Sequence, residues 1–269
     1  MTHILVDGSY LCFYRYHALQ KWLHHAKPED TDEAFVQSKF RQAIRKTFQE
    51  LPKKLKITGD CVIEVAKDCP RSEIWRLDHF PEYKATRAST PAIGPYFALM
   101  YEELASMGIR ILEEPRMEAD DCLARRLHQI MSDEVGPCFT EGPTHPRCVF
   151  IIASDKDYLQ LLKHAAGHVC PLCLTNPLCS STESTVRMFD LSFKERVGHP
   201  SDLFCKIVMG DTSDNIPPIM PRCGPKTALK WWSNPEEFEA MLSTNEPARR
   251  QYELNRLLVT LPPDLIERT

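Results

Sequence analysis

Three apolar runs in this chain end in aspartate: "HILVD" (3–7) in Asp7, "CVIEVAKD" (61–68) in Asp68 and "CVFIIASD" (148–155) in Asp155. Asp157 follows Asp155 at a spacing that lets both face one side of an extended or turning segment. "EADD" (118–121) puts Glu118 and Asp121 on one face of a helix start, with Asp120 flanking. "GDTSDN" repeats the i, i+3 spacing with Asp211 and Asp214. Singly, each has a structural use, because acids in a first turn complement the helix dipole and aspartates cap turns. Gathered at one edge, they would repel one another unless cations neutralised them. The donors are all oxygens, with no His or Cys interleaved, which suits Mg²⁺ or Mn²⁺ rather than zinc. So many acids exceed the needs of one ion and suit two, about 4 Å apart, as in phosphoryl-transfer sites. Cations lie nearby: "FPEYKATR" (80–87) places Lys84 and Arg87 one helical turn apart beside Tyr83, and Lys206 precedes Asp211.

These acids need a scaffold that gathers them. The apolar runs at 3–7, 61–68, 108–112 and 148–155 read as strands. They alternate with helical patterns at 33–51, 95–107 and 118–131. In the first of these helices Val36, Phe40, Ile44, Phe48 and Leu51 form one stripe, with Lys39, Arg41, Arg45 and Lys46 off it. Such alternation predicts an α/β domain with a central, mostly parallel sheet flanked by helices. In an open parallel sheet the C-terminal strand ends share one edge, where ligands bind. After about residue 168 the pattern turns short, polar and helical, which predicts a second, smaller unit: domains 1–167 and 168–269. Residues 136–147 and 170–183 read as loops.

Composition limits the classes open to the chain. Its 269 residues, 43% hydrophobic and 26% charged, describe an ordinary globular protein without a membrane-spanning run. The N-terminus lacks a basic n-region, so no signal peptide is expected and an intracellular location is. The eleven cysteines are then read as reduced thiols. His164, His168, Cys170, Cys173 and Cys179 form a loose candidate zinc set, for which scattered thiols are the preferred reading. A net charge of −4 means that any grip on phosphate must come from local patches or metal ions.

The motifs "VDGSY", "YKATR", "EADD", "ASDKDYLQLL", "GDTSDNIP" and "CGPKTA" occur in the order seen in the 5′-nucleases, and the chain resembles that family over about residues 3–260. The family includes the 5′→3′ exonuclease domain of bacterial DNA polymerase I, phage 5′-exonucleases and, more distantly, eukaryotic flap endonucleases. The resemblance implies a PIN-like catalytic domain and a C-terminal helix–three-turn–helix DNA-binding subdomain. It implies divalent-metal-dependent hydrolysis of DNA at 5′ ends, flaps or nicks, with RNA primer–DNA hybrids as further substrates. A first ion would be held by Asp7, Asp68, Glu118, Asp120 and Asp155, and a second by Asp121, Asp157, Asp211 and Asp214. Lys84, Arg87 and Lys206 would be catalytic cations, and the segment about 84–117 would carry a short helical arch. Tyr83, Gly224, Lys226 and Thr227 would contact DNA, and a potassium ion would sit on loop carbonyls there. "IPPIMPRCG" departs from the glycine-richer loop of many members, by one inserted residue. No polymerase domain follows, so the resemblance implies a stand-alone enzyme, expected as a monomer. Two other classes fit the acids alone: a PIN-type ribonuclease, and a non-catalytic protein that binds DNA structures. Trp231 and Trp232 are read as core residues.

Overall fold

The computed structural model describes residues 2–27, 31–87, 91–132, 148–162 and 185–261. The candidate zinc residues and both loops at 136–147 and 170–183 lie outside the described residues.

Six strands form one sheet: β1 (Thr2–Asp7), β2 (Cys61–Ala66), β3 (Arg110–Leu112), β4 (Cys148–Ile152), β5 (Thr185–Phe189) and β6 (Glu195–Arg196), in the order β3-β2-β1-β4-β5-β6. All neighbouring pairs are parallel except the β5–β6 hairpin. β1 is central because it is buried on both faces. Ile4 and Val6 turn to one hydrophobic layer and Leu5 to the other, so the strand reads as continuously apolar rather than alternating.

Helices α1 (Gly8–Leu23), α2 (Glu33–Lys54) and α4 (Gly94–Ser106) cover the first face. The α2 stripe Val36, Phe40, Ile44, Phe48 and Leu51 is buried there. Two of the cations off the stripe find partners on α4, Arg41 with Glu102 at 2.6 Å and Arg45 with Glu103. Helix α5 (Ala119–Ser132) covers the second face with Leu123 and Leu127. The short α3 (Arg76–His79) lies between β2 and the 80–87 turn.

The C-terminal part is helical: α6 (Ser201–Met209), α7 (Pro225–Ser233), α8 (Pro235–Thr244) and α9 (Glu246–Val259). They share a small core of Val208, Ala228, Trp231, Phe238 and Leu242. Trp231 is a core residue as expected, whereas Trp232 is 36% exposed against Phe204. A separate cluster joins the helices to the α/β part, with Cys69, Ile74 and Tyr83 from one side and Ile207, Ile216, Leu258 and Val259 from the other. Within the helical part, fully buried Asn255 ties α9 to α6 and the turn after it by donating to Ile207 O and Pro217 O, each at 2.8 Å.

Two boundaries differ from the sequence reading. β5 and β6 belong to the central sheet, so the α/β unit runs to Arg196 rather than ending at 167. The 84–117 segment is not an arch throughout, because α4 buries Met100 and Leu104 against the sheet and β3 pairs with β2. No helix among the described residues is long and apolar enough to cross a membrane.

Candidate active site

β2, β1 and β4 are adjacent in the sheet, so their C-terminal ends bring Asp7, Asp68 and Asp155 to one edge. Asp7 caps α1, accepting from Tyr10 N at 2.9 Å, and its other oxygen accepts from the hydroxyl of fully buried Tyr158 at 2.9 Å. Gly8 is required here, since a Cβ would meet Ala66 O at 2.3 Å. Asp68 accepts from the Ser9 hydroxyl and from Ala119 N at 2.7 Å. These three aspartates, Glu118, Asp120, Lys84 and Arg87 line one cleft of about 330 Å³. Asp155 also lines the neighbouring cleft of about 620 Å³, with Asp157, Lys206 and Asp211.

The 118–121 motif divides its labour. Asp120 faces the cleft, while Glu118 and Asp121 do share a face, as the spacing predicts, but that face meets Arg76. Arg76 is 1% exposed and grips Asp121 through two nitrogens, at 2.5 and 2.7 Å. It also donates to Glu118 at 2.9 Å and to Leu258 O at 2.8 Å. Trp75 Nε1 adds a bond to Asp121 at 2.9 Å. Asp121 also sits three residues after the N-cap Glu118 and accepts from its backbone N at 3.4 Å, a capping-box contact. Glu118, Asp120 and Asp121 offer oxygens within 4.8 Å of one another. Both oxygens of Asp121 already accept from Arg76, and Asp121 lines neither cleft.

Asp157, Asp211 and Asp214 form a second group with oxygens within 4.8 Å of one another. Asp211 caps the turn Thr212–Asp214, accepting from Ser213 N at 2.8 Å. Gly210 before it has φ +71°, and a Cβ there would lie 2.3 Å from Ile216 O. Lys206 pairs with Asp157 and, at 2.7 Å, with Asp211. Arg87 pairs with Asp214 and donates to Ser213 O at 3.1 Å.

Lys84 pairs with Glu118 and takes φ +56°, the left-handed region that a non-glycine residue enters at a cost. Its backbone N is held by Asp214 O at 2.8 Å. Tyr83, expected on DNA, is 4% exposed, and its hydroxyl donates to Glu118 at 3.0 Å and Asp214 at 3.3 Å. It therefore positions acids from within the core. Gly224, Lys226 and Thr227 line neither cleft. Gly224 precedes α7 with open space where a side chain would stand, and Lys226 is exposed. Arg222 takes φ +63° in this glycine-poor loop.

Sequence reading missed Arg76, Trp75, Tyr158 and Ser9, which hold the acids in place. Only Tyr158, immediately after "DKD", and Ser9, two residues after Asp7, stood near a motif. Phe13, 37% exposed at the mouth of the first cleft, was also missed.

The electrostatics fit a cation. Burial, then the Asp68 charge, raises the Asp7 carboxyl to about 7. Burial and Asp120 raise Glu118 to about 7, despite Lys84 and Arg76. Burial raises Asp157 to about 6, against the pull of Lys206. Asp211 lies at about 2, because hydrogen bonds from Lys206 and Ser213 outweigh its burial. An all-oxygen site in which carboxylates resist ionisation is short of positive charge, and this is the observation that fits divalent ions. The thiols of Cys12 and Cys122 are pushed up to about 12 by burial and that of Cys69 to about 11, so none of these is a nucleophile at neutral pH.

A stability test follows. Folded Asp7 and Glu118 keep protons that the unfolded chain loses between about 4 and 7, so without metal, stability falls as pH rises through that window. In chelator, Tm should drop by about 5 °C between pH 5.5 and 8. Added Mg²⁺ should raise Tm more at pH 8 than at pH 5.5. A metal-induced shift independent of pH would count against these carboxylates as ligands.

The fold and site define a resolvase-like α/β domain whose parallel-strand ends carry an all-oxygen acidic cluster able to hold a cation. The family model for the 5′-3′ exonuclease N-terminal, resolvase-like domain matches residues 2–190, and the chain belongs to that family. It is 30% identical over 261 residues to the thermostable DNA polymerase I of Thermus aquaticus, covering 92% of this chain and 26% of that protein. To DNA polymerase I of Mycobacterium tuberculosis it is 32% identical over 171 residues, 63% of this chain and 17% of the polymerase. To the 5′-3′ exonuclease of Bacillus subtilis it is 30% identical over 173 residues, 64% of this chain and 52% of that enzyme. The chain thus spans a minor part of the polymerases and about half of the exonuclease. The fold is similar to that of the bacteriophage T5 D15 protein co-crystallised with metal ions, with TM-score 0.62, 18% identity and coverage of 99% of this chain and 92% of that one. It is also similar to the T5 D15 flap endonuclease in complex with DNA and metal ions, with TM-score 0.60, 17% identity and the same coverage.

Proposed function

We propose that this chain is a divalent-metal-dependent 5′-nuclease that hydrolyses DNA phosphodiesters at 5′ ends, nicks and flaps, in replication or repair. The observation that carries the reading is the convergence of Asp7, Asp68, Glu118, Asp120 and Asp155 in one cleft walled by Lys84 and Arg87. Mg²⁺ is the ion we assign, with Mn²⁺ able to replace it, since the donors are hard oxygens. When bound, such ions lower the pKa of a water nucleophile and offset charge on the phosphate. The chain supplies the rest. Asp7, Asp68, Glu118, Asp120 and Asp155 would hold one ion, and Asp157, Asp211 and Asp214 the other. Tyr158, Ser9, Arg76 and Tyr83 fix the orientation of the carboxylates they touch. Lys84 and Arg87 put positive charge on the cleft wall to meet the non-bridging phosphate oxygens. A potassium ion on carbonyls near Gly224 is carried over from the family resemblance alone.

The helical unit favours duplex DNA over the substrate of a PIN-type ribonuclease. The unobstructed Gly224 and the amides of the following helix start, with Lys226, suit a backbone phosphate read without regard to base. The Lys226→Glu variant should bind flapped duplex about tenfold more weakly at low salt, with a flatter salt dependence, and recover most cleavage at saturating enzyme. Equal affinity and equal salt slope would remove this helix from the DNA interface. The function itself is tested with a 5′-flapped duplex, a nicked duplex, an RNA-primed duplex and single-stranded RNA in Mg²⁺. Preference for the flap supports the reading, and exclusive cleavage of single-stranded RNA would replace it with the ribonuclease. Intracellular action as a monomer belongs to the same proposal.

A further inference from the structure

The two acidic groups differ in one respect. Among the described residues, Asp7, Asp68 and Asp155 accept hydrogen bonds only from neutral donors: backbone amides, the Ser9 hydroxyl and the Tyr158 hydroxyl. Of the other acids given to the first ion, Glu118 is paired with Lys84 and Arg76, whereas in the second group a single cation bridges two acids. The Lys206 ammonium bridges Asp157 and Asp211, whose oxygens, with one from Asp214, lie within 4.8 Å of one another. Asp214 is engaged in turn by Arg87. A side chain thus spans the carboxylates that the two-ion reading gives to the second metal.

We propose that Lys206 is a built-in counter-cation for the second metal position, and that the second ion enters by exchange with its ammonium. This deepens the two-ion reading above and rests on it. An ion arriving at the first group meets Asp7, Asp68 and Asp155 without a charged partner, and no cation bridges two of its acids within the cleft; only Glu118 is paired, with Lys84 and Arg76. An ion arriving at Asp157 and Asp211 must break two ion pairs before it gains its ligands, so its affinity is lowered by what Lys206 already supplies. The exchange has a use. Lys206 sits on α6, and its side chain is 22% exposed at the wall of the larger cleft. Once displaced, its ammonium lies free beside the acids, available to a phosphate oxygen. The cation that offsets part of this negative charge in the metal-free protein then becomes a substrate contact when the ion binds. The bridge also limits the repulsion of three clustered carboxylates in the metal-free protein.

The test is Mn²⁺ binding to the metal-free, DNA-free protein, followed by the electron paramagnetic resonance signal of the free ion at fixed pH and ionic strength. Wild type should take up one ion tightly and a second at least tenfold more weakly. In Lys206→Met the second dissociation constant should fall at least tenfold, while the first stays within about twofold. Lys206→Arg, which keeps the charge, should track wild type. Lys206→Gln provides a second neutral variant, and melting curves establish that each protein is folded. A second dissociation constant that is unchanged or larger in both neutral variants overturns the exchange alone. Equal tightening of both sites also overturns it, because that would reflect net charge rather than the bridge. Failure of every protein, wild type included, to take up a second ion would overturn the two-ion reading as well.

Discussion

Asp155→Asn combined with Asp157→Asn should abolish cleavage, by at least about 10³-fold at saturating enzyme, while leaving DNA binding intact or tighter. Asp155 is exposed where the central strands end and lines both clefts, so its charge has no packing role to serve. Asp157 belongs to the second acidic group and carries one end of the Lys206 bridge. Losing one preorganised charge-stabilising group costs 10²–10³ in rate, and the double variant loses one from each group. Asparagine keeps the shape and much of the hydrogen bonding, so the fold should hold. Removing two negative charges also eases the approach of a polyanion. Single-turnover rates and flap affinities, measured side by side, decide it. A near wild-type rate in Mg²⁺ would show that these acids do not hold the catalytic ions.

Arg76→Met should be the most destabilising single substitution near the site. Arg76 is buried against Asp121, itself 0% exposed, and against Glu118 at 5%. Removing one partner of a buried ion pair leaves an uncompensated charge and costs about 3–5 kcal/mol. For a chain of this size that lowers Tm by about 10 °C. The bond from Arg76 to Leu258 O also ties α9 to the acid-bearing helix, so the loss should loosen the junction of the two parts. Adding Asp121→Leu should restore much of the stability, because a buried ion pair can often be replaced by apolar residues without loss. Cleavage should return only in part, since Glu118 would keep Tyr83 and Lys84 but still lack the Arg76 bond. Thermal melts with single-turnover rates test both statements. A single variant within about 2 °C of wild type would mean that the network is not what fixes this corner. Full activity in the stable double variant would show that Arg76 has no part in orienting Glu118.

Much of this site was legible because its chemistry lies at element ends. An apolar run that stops at an aspartate reveals both the strand and the acid, and Asp7, Asp68 and Asp155 do share the edge that a parallel sheet predicts. The α2 stripe was equally clear, because one face is buried and the other carries Lys and Arg. What stayed hidden had no periodic signature. β5 and β6 are short and follow a long loop-like stretch, so they read as part of a second unit. α1 went unrecognised because its aromatic residues are partly buried all round it. Arg76 looks like any surface arginine until the fold encloses it. In 118–121, i, i+3 spacing correctly paired Glu118 with Asp121 but could not say which face looked into the cleft. Tyr83 beside Lys84 read as a DNA contact, whereas the turn that puts Lys84 on the cleft wall sends Tyr83 into the core.

The central claim is that the acidic cleft is a divalent-metal nuclease centre. Its most direct test is the cleavage of a 5′-labelled flapped duplex by the metal-free protein in chelator, followed by addition of Mg²⁺. Binding without cleavage is expected in chelator, and strand scission near the flap junction once Mg²⁺ is added. Cleavage that proceeds equally in chelator, or a folded, DNA-bound protein that stays inert in both Mg²⁺ and Mn²⁺, would contradict it.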